Sequence, residues 1–189
     1  IAEFRQRHAS VRFDLAIRTH ADITRMVLEG DVDIGISLGL TSERGIKVEL
    51  RHPSPVMAVL SSDHPLAKQK QLSLKTVAAY PLALPPPNST LRQLLEVSFS
   101  RQGIQAESVF SCDHLAPLVG FAAAGGGIAF CGKEALMTHL KHRQVVAVPL
   151  KDREMSERHF EVQTMAGRSV SDACQSFLQD LGSYIKAKP

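Results

Sequence analysis

Leu28-Glu-Gly-Asp-Val-Asp-Ile-Gly-Ile36 and Val119-Gly-Phe-Ala-Ala-Ala-Gly-Gly-Gly-Ile-Ala-Phe130 enact one event twice: an apolar helix stops at glycine and a short apolar strand begins. Glycine ends a helix because it enters the left-handed region without a Cβ penalty. Two such junctions, far apart in one chain, predict two similar α/β lobes. A ligand site between the lobes is the functional expectation that follows.

Outward from the first junction the pattern is consistent. Thr19-His-Ala-Asp22 fits the [ST]-x-x-[DE] capping box, and Ile23, Met26 and Val27 follow at helical spacing, so a helix is predicted over residues 21–29. Residues 1–8 read as the end of a helix with Ile1, Phe4 and His8 on one side. Residues 11–17 alternate with period two and read as a strand, residues 32–38 as a buried strand, and residues 45–50 and 55–60 as two more. The polar turn Ser61-Ser-Asp-His-Pro-Leu66 and the basic Lys68-Gln-Lys70 mark the expected exit from the first lobe.

Beyond it the pattern restarts. Residues 72–79 suit a short helix and residues 82–84 a strand, and Pro85-Pro-Pro87 is a stiff linker without backbone donors. Asn88-Ser-Thr90 caps the longest helix of the middle section, Gln93 completes a second capping box with Thr90, and Leu91, Leu94, Leu95 and Phe99 form its stripe. A strand at 107–110 leads to Asp113 as N-cap of a helix over 115–124, with Pro117 near its first turn. A strand at 128–131, a helix at 134–140 and a strand at 145–148 close this part, and residues 160–165 carry the chain back. Ser169-Val-Ser-Asp172 opens a terminal helix whose stripe, Val170, Cys174, Phe177, Leu178, Leu181, Tyr184 and Ile185, requires the first lobe as a partner. The fold class is therefore α/β: two Rossmann-like lobes joined by two crossover strands, residues 1–62 plus 160–189 forming lobe I and 63–159 lobe II.

Composition excludes several functions. Twenty-two basic and 19 acidic residues give a net charge of +3, short of the concentrated positive surface that duplex nucleic acid requires. The absence of Trp and the presence of only two Tyr argue against base-stacking platforms. Three cysteines without a CxxC spacing argue against a disulfide framework and fit a reducing compartment. No apolar run reaches the ~18 residues of a membrane helix.

Several motifs are decoys. Gly35-Ile-Ser-Leu-Gly39 matches the nucleophile elbow, but that motif needs a helix straight after the strand, and Leu40-Thr-Ser-Glu-Arg-Gly45 leads into another strand. Gly125-Gly-Gly127 follows a helix and precedes a strand, the reverse of a phosphate loop, so it reads as a helix terminator. His139 and His142 have a zinc-compatible spacing but sit in the basic segment Lys141-His-Arg143. Adjacent Asp63-His64 and Asp113-His114 read as a turn and a cap. No catalytic set, metal site or cofactor site remains. What does remain is a set of helix N-termini, Thr19-His20, Asn88-Ser-Thr90 and Asp113-His114. Each is explained as a cap by itself, and together they suit a small anionic ligand.

Phe4-Arg-Gln-Arg-His8, Leu28-Glu-Gly-Asp-Val-Asp-Ile34, Ser61-Ser-Asp-His-Pro-Leu-Ala67, Leu82-Ala-Leu-Pro-Pro-Pro-Asn-Ser89 and residues 119–130, in that order, resemble the effector-binding domain of LysR-type transcriptional regulators over essentially the whole chain. The resemblance implies a bacterial cytoplasmic sensor of a small molecule, with a fold similar to type 2 periplasmic binding proteins. It also implies a homodimer, or a tetramer in the full-length protein, that reaches promoter DNA through an N-terminal winged helix-turn-helix outside this chain. Carried over by position, it places the effector site at Thr19, His20, Leu38, Gly39, Pro87, Asn88, Ser89, Thr90, Asp113 and His114. A transport-associated solute receptor of similar shape is the alternative. Three departures stand out: the chain opens in the helix after the family's first strand, which would be central in lobe I and would supply one wall of the site; His20 puts a titratable side chain where a small hydroxyl is common; and Gly132 stands where proline is common, which reads as a looser turn.

Overall fold

The computed structural model describes residues 1–38, 43–136 and 144–187. The chain divides into two compact units, Ile1–His52 with Phe160–Pro189 and Pro53–His159. It crosses between them at the end of β2 (Ile46–Pro53) and at the start of β8 (His159–Met165). The first crossing comes earlier than the exit expected after residue 62. The reason is β3 (Val56–Ser61), which is hydrogen-bonded on both sides within the second unit, to β6 (Ile128–Gly132) and β7 (Val145–Pro149). The turn over residues 61–66 is therefore an internal connection of that unit.

In the first unit, β1 (Gly35–Leu38), β8 and β2 form a sheet in the order β1-β8-β2. β1 runs antiparallel to β8, with Gly35 opposite Gln163 and Ser37 opposite Glu161. α2 (His20–Glu29) starts at the Thr19 cap and stops at Gly30, whose φ is 78°. It packs on β1 so closely that a Cβ on Gly35 would lie 2.7 Å from Val27 Cγ2 and 2.9 Å from Ile23 Cγ2. α1 (Ala2–Arg7) and the terminal α8 (Asp172–Lys186) are fastened by aromatic rings: Phe177 lies edge-on to Phe4 at 5.2 Å and to Phe13 at 5.0 Å, and His8 stacks on Phe4 at 4.3 Å. The expected packing of the terminal helix on this unit is thus met through Phe177.

Residues 11–17 do not form the expected strand. Alternation yields a strand only when a neighbour supplies hydrogen bonds, and this segment pairs with none of the described strands. Phe13 is held by the rings, while Leu15 and Ile17 are 75% and 82% exposed.

In the second unit the sheet order is β5-β4-β6-β3-β7, with β4 spanning Leu82–Leu84 and β5 Ser108–Ser111. β4 is parallel to both β5 and β6, whereas β3 is antiparallel to β6 and β7. β3 is apolar up to its last residue, Ser61, and both its faces are covered. Ala58 and Leu60 share a core with Leu74 and Val77 of α3 (Leu74–Val77) and Leu95 and Phe99 of α4 (Thr90–Arg101). Val59, on the other face, packs with Leu118, Val119 and Ala122 of α5 (Leu115–Ala123). This is a doubly covered α/β layer.

Two short helices complete the unit, α6 (Lys133–Leu136) and α7 (Arg153–Ser156). The second begins at its N-cap Asp152, whose carboxylate makes no capping bond and is used elsewhere, accepting from Leu74 N at 2.8 Å and Gln102 Nε2 at 2.9 Å.

Candidate functional site

The first unit concentrates unusual polarity around α2, β1 and β8. Thr19 Oγ1 accepts from Asp22 N at 3.3 Å and donates to Asp22 Oδ2 at 2.8 Å, so the cap is made and its hydroxyl is occupied, with the carboxylate bonded to that hydroxyl. One residue on, His20 is half-buried and its Nδ1 has no hydrogen-bond partner among the described residues. The same holds for the buried atoms Thr24 Oγ1 on α2, Ser37 Oγ on β1 and Gln163 Oε1 on β8. His20 and Thr24 are four residues apart and so share a helix face. Ser37 lies on the same strand face as Gly35, the face against which α2 packs. An unpaired buried polar group costs about 1–3 kcal/mol, so their accumulation on three neighbouring elements marks a candidate place for a polar guest or ordered water.

Next to this group lies a charged pair. Glu161, opposite Ser37, is buried and accepts from Arg51 Nη2 at 2.6 Å and from Gln163 Nε2 at 3.0 Å. Glu49 is held by Thr164 Oγ1 at 2.7 Å and Lys47 at 3.0 Å. Burial pushes the Glu49 carboxyl up, but these two partners outweigh it and keep its pKa below the ordinary carboxylate value. Leu38, at the end of β1, is half-buried and pairs with Phe160. Gly39 lies outside the described residues, as do His139 and His142.

The second unit gathers its candidates at one sheet edge. β4 and β5 are adjacent and parallel, so the chain segments leaving their carboxyl ends, toward α4 and α5, emerge side by side. This brings Pro87, Asn88, Ser89 and Thr90 to the same edge as Asp113 and His114. Both caps fall one residue from their expected places. Ser89, rather than Thr90, caps α4, and its amide donates to Pro86 O at 2.9 Å; the tight turn after the three prolines sets the helix start. Its side chain makes no capping bond, so the second capping box is not formed. His114, rather than Asp113, caps α5, again without a side-chain bond. The exposed Asp113 and His114 side chains instead approach each other at 3.8 Å.

The decoys resolve on geometry. Ser37 is buried within a strand and no described base hydrogen-bonds it. The glycine run lies at the opposite edge, before β6: a Cβ on Gly127 would lie 2.2 Å from Pro81 O, and one on Gly126 would lie 2.6 Å from the Phe121 ring. Gly132 is not a loose turn but the last residue of β6, and a Cβ there would lie 2.7 Å from Ser54 Oγ, the hydroxyl that donates to Glu134. Cys112, Cys131 and Cys174 are free, and burial pushes the Cys131 thiol up to about 12. Among the described residues no cluster of His, Cys, Asp or Glu is placed to hold a metal ion.

The sequence reading missed Thr24, Arg51, Arg158, Glu161 and Gln163. Each sits in an otherwise regular element or at its end, where a polar letter passes for a surface residue; in residues 160–165 the charge and amide alternate with apolar residues as on any half-exposed strand. Arg158 is buried and its pKa is lowered by that burial.

Known proteins share this architecture. Residues 1–185 match the LysR substrate binding domain family. The chain is 27% identical over 168 residues to the HTH-type transcriptional regulator YfeR of Shigella flexneri, covering 82% of this chain and 54% of that protein. It therefore spans little more than half the length of that relative. The regulatory domain of CcmR from Synechocystis PCC6803, solved in complex with 2-PG, superposes with a TM-score of 0.83 at 19% identity, covering 100% of this chain and 90% of the other. The effector binding domain of QuiR, in complex with shikimate, gives 0.76 at 20% identity, covering 99% and 88%. None of these matches supports the transport receptor that the sequence left open. A two-unit α/β chain with helix starts gathered at a strand edge, matched over 185 residues by one family, is thus a member of the LysR substrate binding domain family.

Proposed function

We propose that this chain is the effector-sensing part of a DNA-binding transcriptional regulator of the bacterial cytoplasm, and that it binds a small anionic metabolite without converting it. The observation that carries the reading is the set of buried polar atoms in the first unit without hydrogen-bond partners among the described residues, His20 Nδ1, Thr24 Oγ1, Ser37 Oγ and Gln163 Oε1. A folded chain tolerates such atoms where a ligand or ordered water completes them. The hydroxyls of Ser89 and Thr90, beside the α4 amides, form a second recognition group suited to negative charge. Shikimate, bound by QuiR, is a carboxylate and fits the expected class. In the whole protein, ligand binding shifts the balance between conformations of a homodimer or tetramer, and an N-terminal winged helix-turn-helix carries that shift to promoter DNA.

Native mass spectrometry of the protein purified from its own host tests this. The wild type is expected to carry a small-molecule adduct that Ser37→Ala and, separately, Ser89→Ala and Thr90→Ala lose in whole or part, with melting nearly unchanged. Retention of that adduct at wild-type level by all three variants rejects these residues as the site. Absence of any adduct, together with no calorimetric response to a panel of small organic acids, rejects the sensing function.

A further inference from the structure

Arg158 carries a charge that nothing described neutralises. The residue is 5% exposed, and Nε, Nη1 and Nη2 all lack a hydrogen-bond partner among the described residues. A lysine so placed can shed its proton, but a guanidinium keeps its charge and its five donors. Folded proteins pair such groups, because an isolated buried ion is among the least tolerated features of an interior.

The backbone around it is well anchored. Arg158 O accepts from the buried Ser54 N at 2.7 Å, and Ser54 Oγ donates to the Glu134 carboxylate. The backbone that carries the guanidinium is therefore fixed at this point, and the side chain is buried and not a surface one. Both chain crossings, at His52–Pro53 and His159–Phe160, lie within two residues of that backbone bond.

We infer that Arg158 is an anion receptor whose guanidinium fork holds two oxygens of a small acid, a carboxylate or a phosphate, where the chain enters and leaves the second unit. This deepens the sensing function proposed above and rests on it. The fork suits such a ligand because its paired N–H groups match two oxygens bidentately.

The probes are inorganic phosphate and shikimate, added at constant ionic strength, with melting of the intact chain as readout. The wild type should gain about 3 to 6 °C, saturably, at roughly ten times the Kd of at least one probe. Arg158→Met should lose that gain and, without probe, melt at or above the wild type, since it removes an unpaired buried charge. Arg158→Lys should show a smaller gain, because its ammonium lacks the fork. Equal gains in wild type and Arg158→Met overturn the inference, as does no gain in the wild type with either probe. A drop of several degrees in Arg158→Met without probe also overturns it, because the guanidinium would then be paired within the chain. If Arg158→Met still responds while Ser37→Ala loses its adduct, only the Arg158 role falls. If Arg158→Met loses the response while Ser37→Ala keeps its adduct, Arg158 stands and the first-unit site falls.

Discussion

Arg51 grips a single carboxylate oxygen of Glu161 with two donors, Nε at 3.0 Å and Nη2 at 2.6 Å. The pair is lopsided: the acid is 2% exposed, while the side chain of its partner is about half in solvent. Arg51 on β2 thereby stabilises a carboxylate that β8 places inside the first unit. Arg51→Met should cost about 2 to 3 kcal/mol in denaturant unfolding, because the buried carboxylate loses the two charged donors of Arg51. Adding Glu161→Gln should return most of that loss. An Arg51→Met protein within roughly 0.5 kcal/mol of wild type would show that the Arg51 donors do not support the buried carboxylate.

His64 gives stability a pH dependence. Its Nδ1 accepts from Leu66 N at 3.1 Å, its ring lies 4.6 Å from that of Tyr80, and burial holds its pKa below the ordinary imidazole value. The unfolded chain therefore binds a proton that the folded chain resists. Stability is complete above about pH 6.5 and falls as pH drops toward the folded-state pKa. His64→Asn keeps an acceptor for Leu66 N without titrating, so its melting temperature should fall less than that of wild type between about pH 6.5 and 5. Parallel pH profiles for the two proteins would contradict this.

Two glycines should respond in opposite directions to alanine. Gly127 has φ +154° and no room beside Pro81 O, so Gly127→Ala should cost about 2 kcal/mol or more. Gly182, inside α8, has nothing within 4 Å of a new Cβ, and Gly182→Ala should add about 0.5 to 1 kcal/mol. Thermal melts of the two variants check both signs, and a destabilised Gly182→Ala would reveal a neighbour that the isolated chain does not show.

The aromatic cluster holds both ends of the first unit. Phe4 is 1% exposed and touches Phe13, Phe177 and His8. Phe4→Ala should cost about 3 to 5 kcal/mol. Phe13→Ala should cost less but free residues 11–18, so native-state trypsin cleavage after Arg12 and Arg18 should accelerate; unchanged cleavage kinetics would mean that Phe13 is not the anchor.

Local signals account for most of the elements. Thr19-x-x-Asp22 with a terminating Gly30 is a complete helix instruction, and the structure follows it at both ends. The apolar stretch at residues 56–60 is a buried strand because no exposed face could tolerate it. Where local signals compete, neighbours choose: three prolines followed by Asn88-Ser-Thr90 offer more than one cap, and the Pro86–Ser89 turn selects Ser89. The candidate site was legible only at helix starts, since caps announce themselves, whereas Ser37, Glu161 and Gln163 look like ordinary alternating strand letters.

Sequence by itself determined the α/β class, the two glycine-stopped junctions, the Thr19 start of α2 and the family likeness, because helix caps and hydrophobic periods act over a few residues. Tertiary structure alone decided that β3 belongs to the second unit, that residues 11–17 pair with no described strand, and that His20 Nδ1, Thr24 Oγ1, Ser37 Oγ, Gln163 Oε1 and the Arg158 guanidinium are buried without hydrogen-bond partners among the described residues. Strand pairing and desolvation depend on which distant segments come together, and no local pattern carries that information.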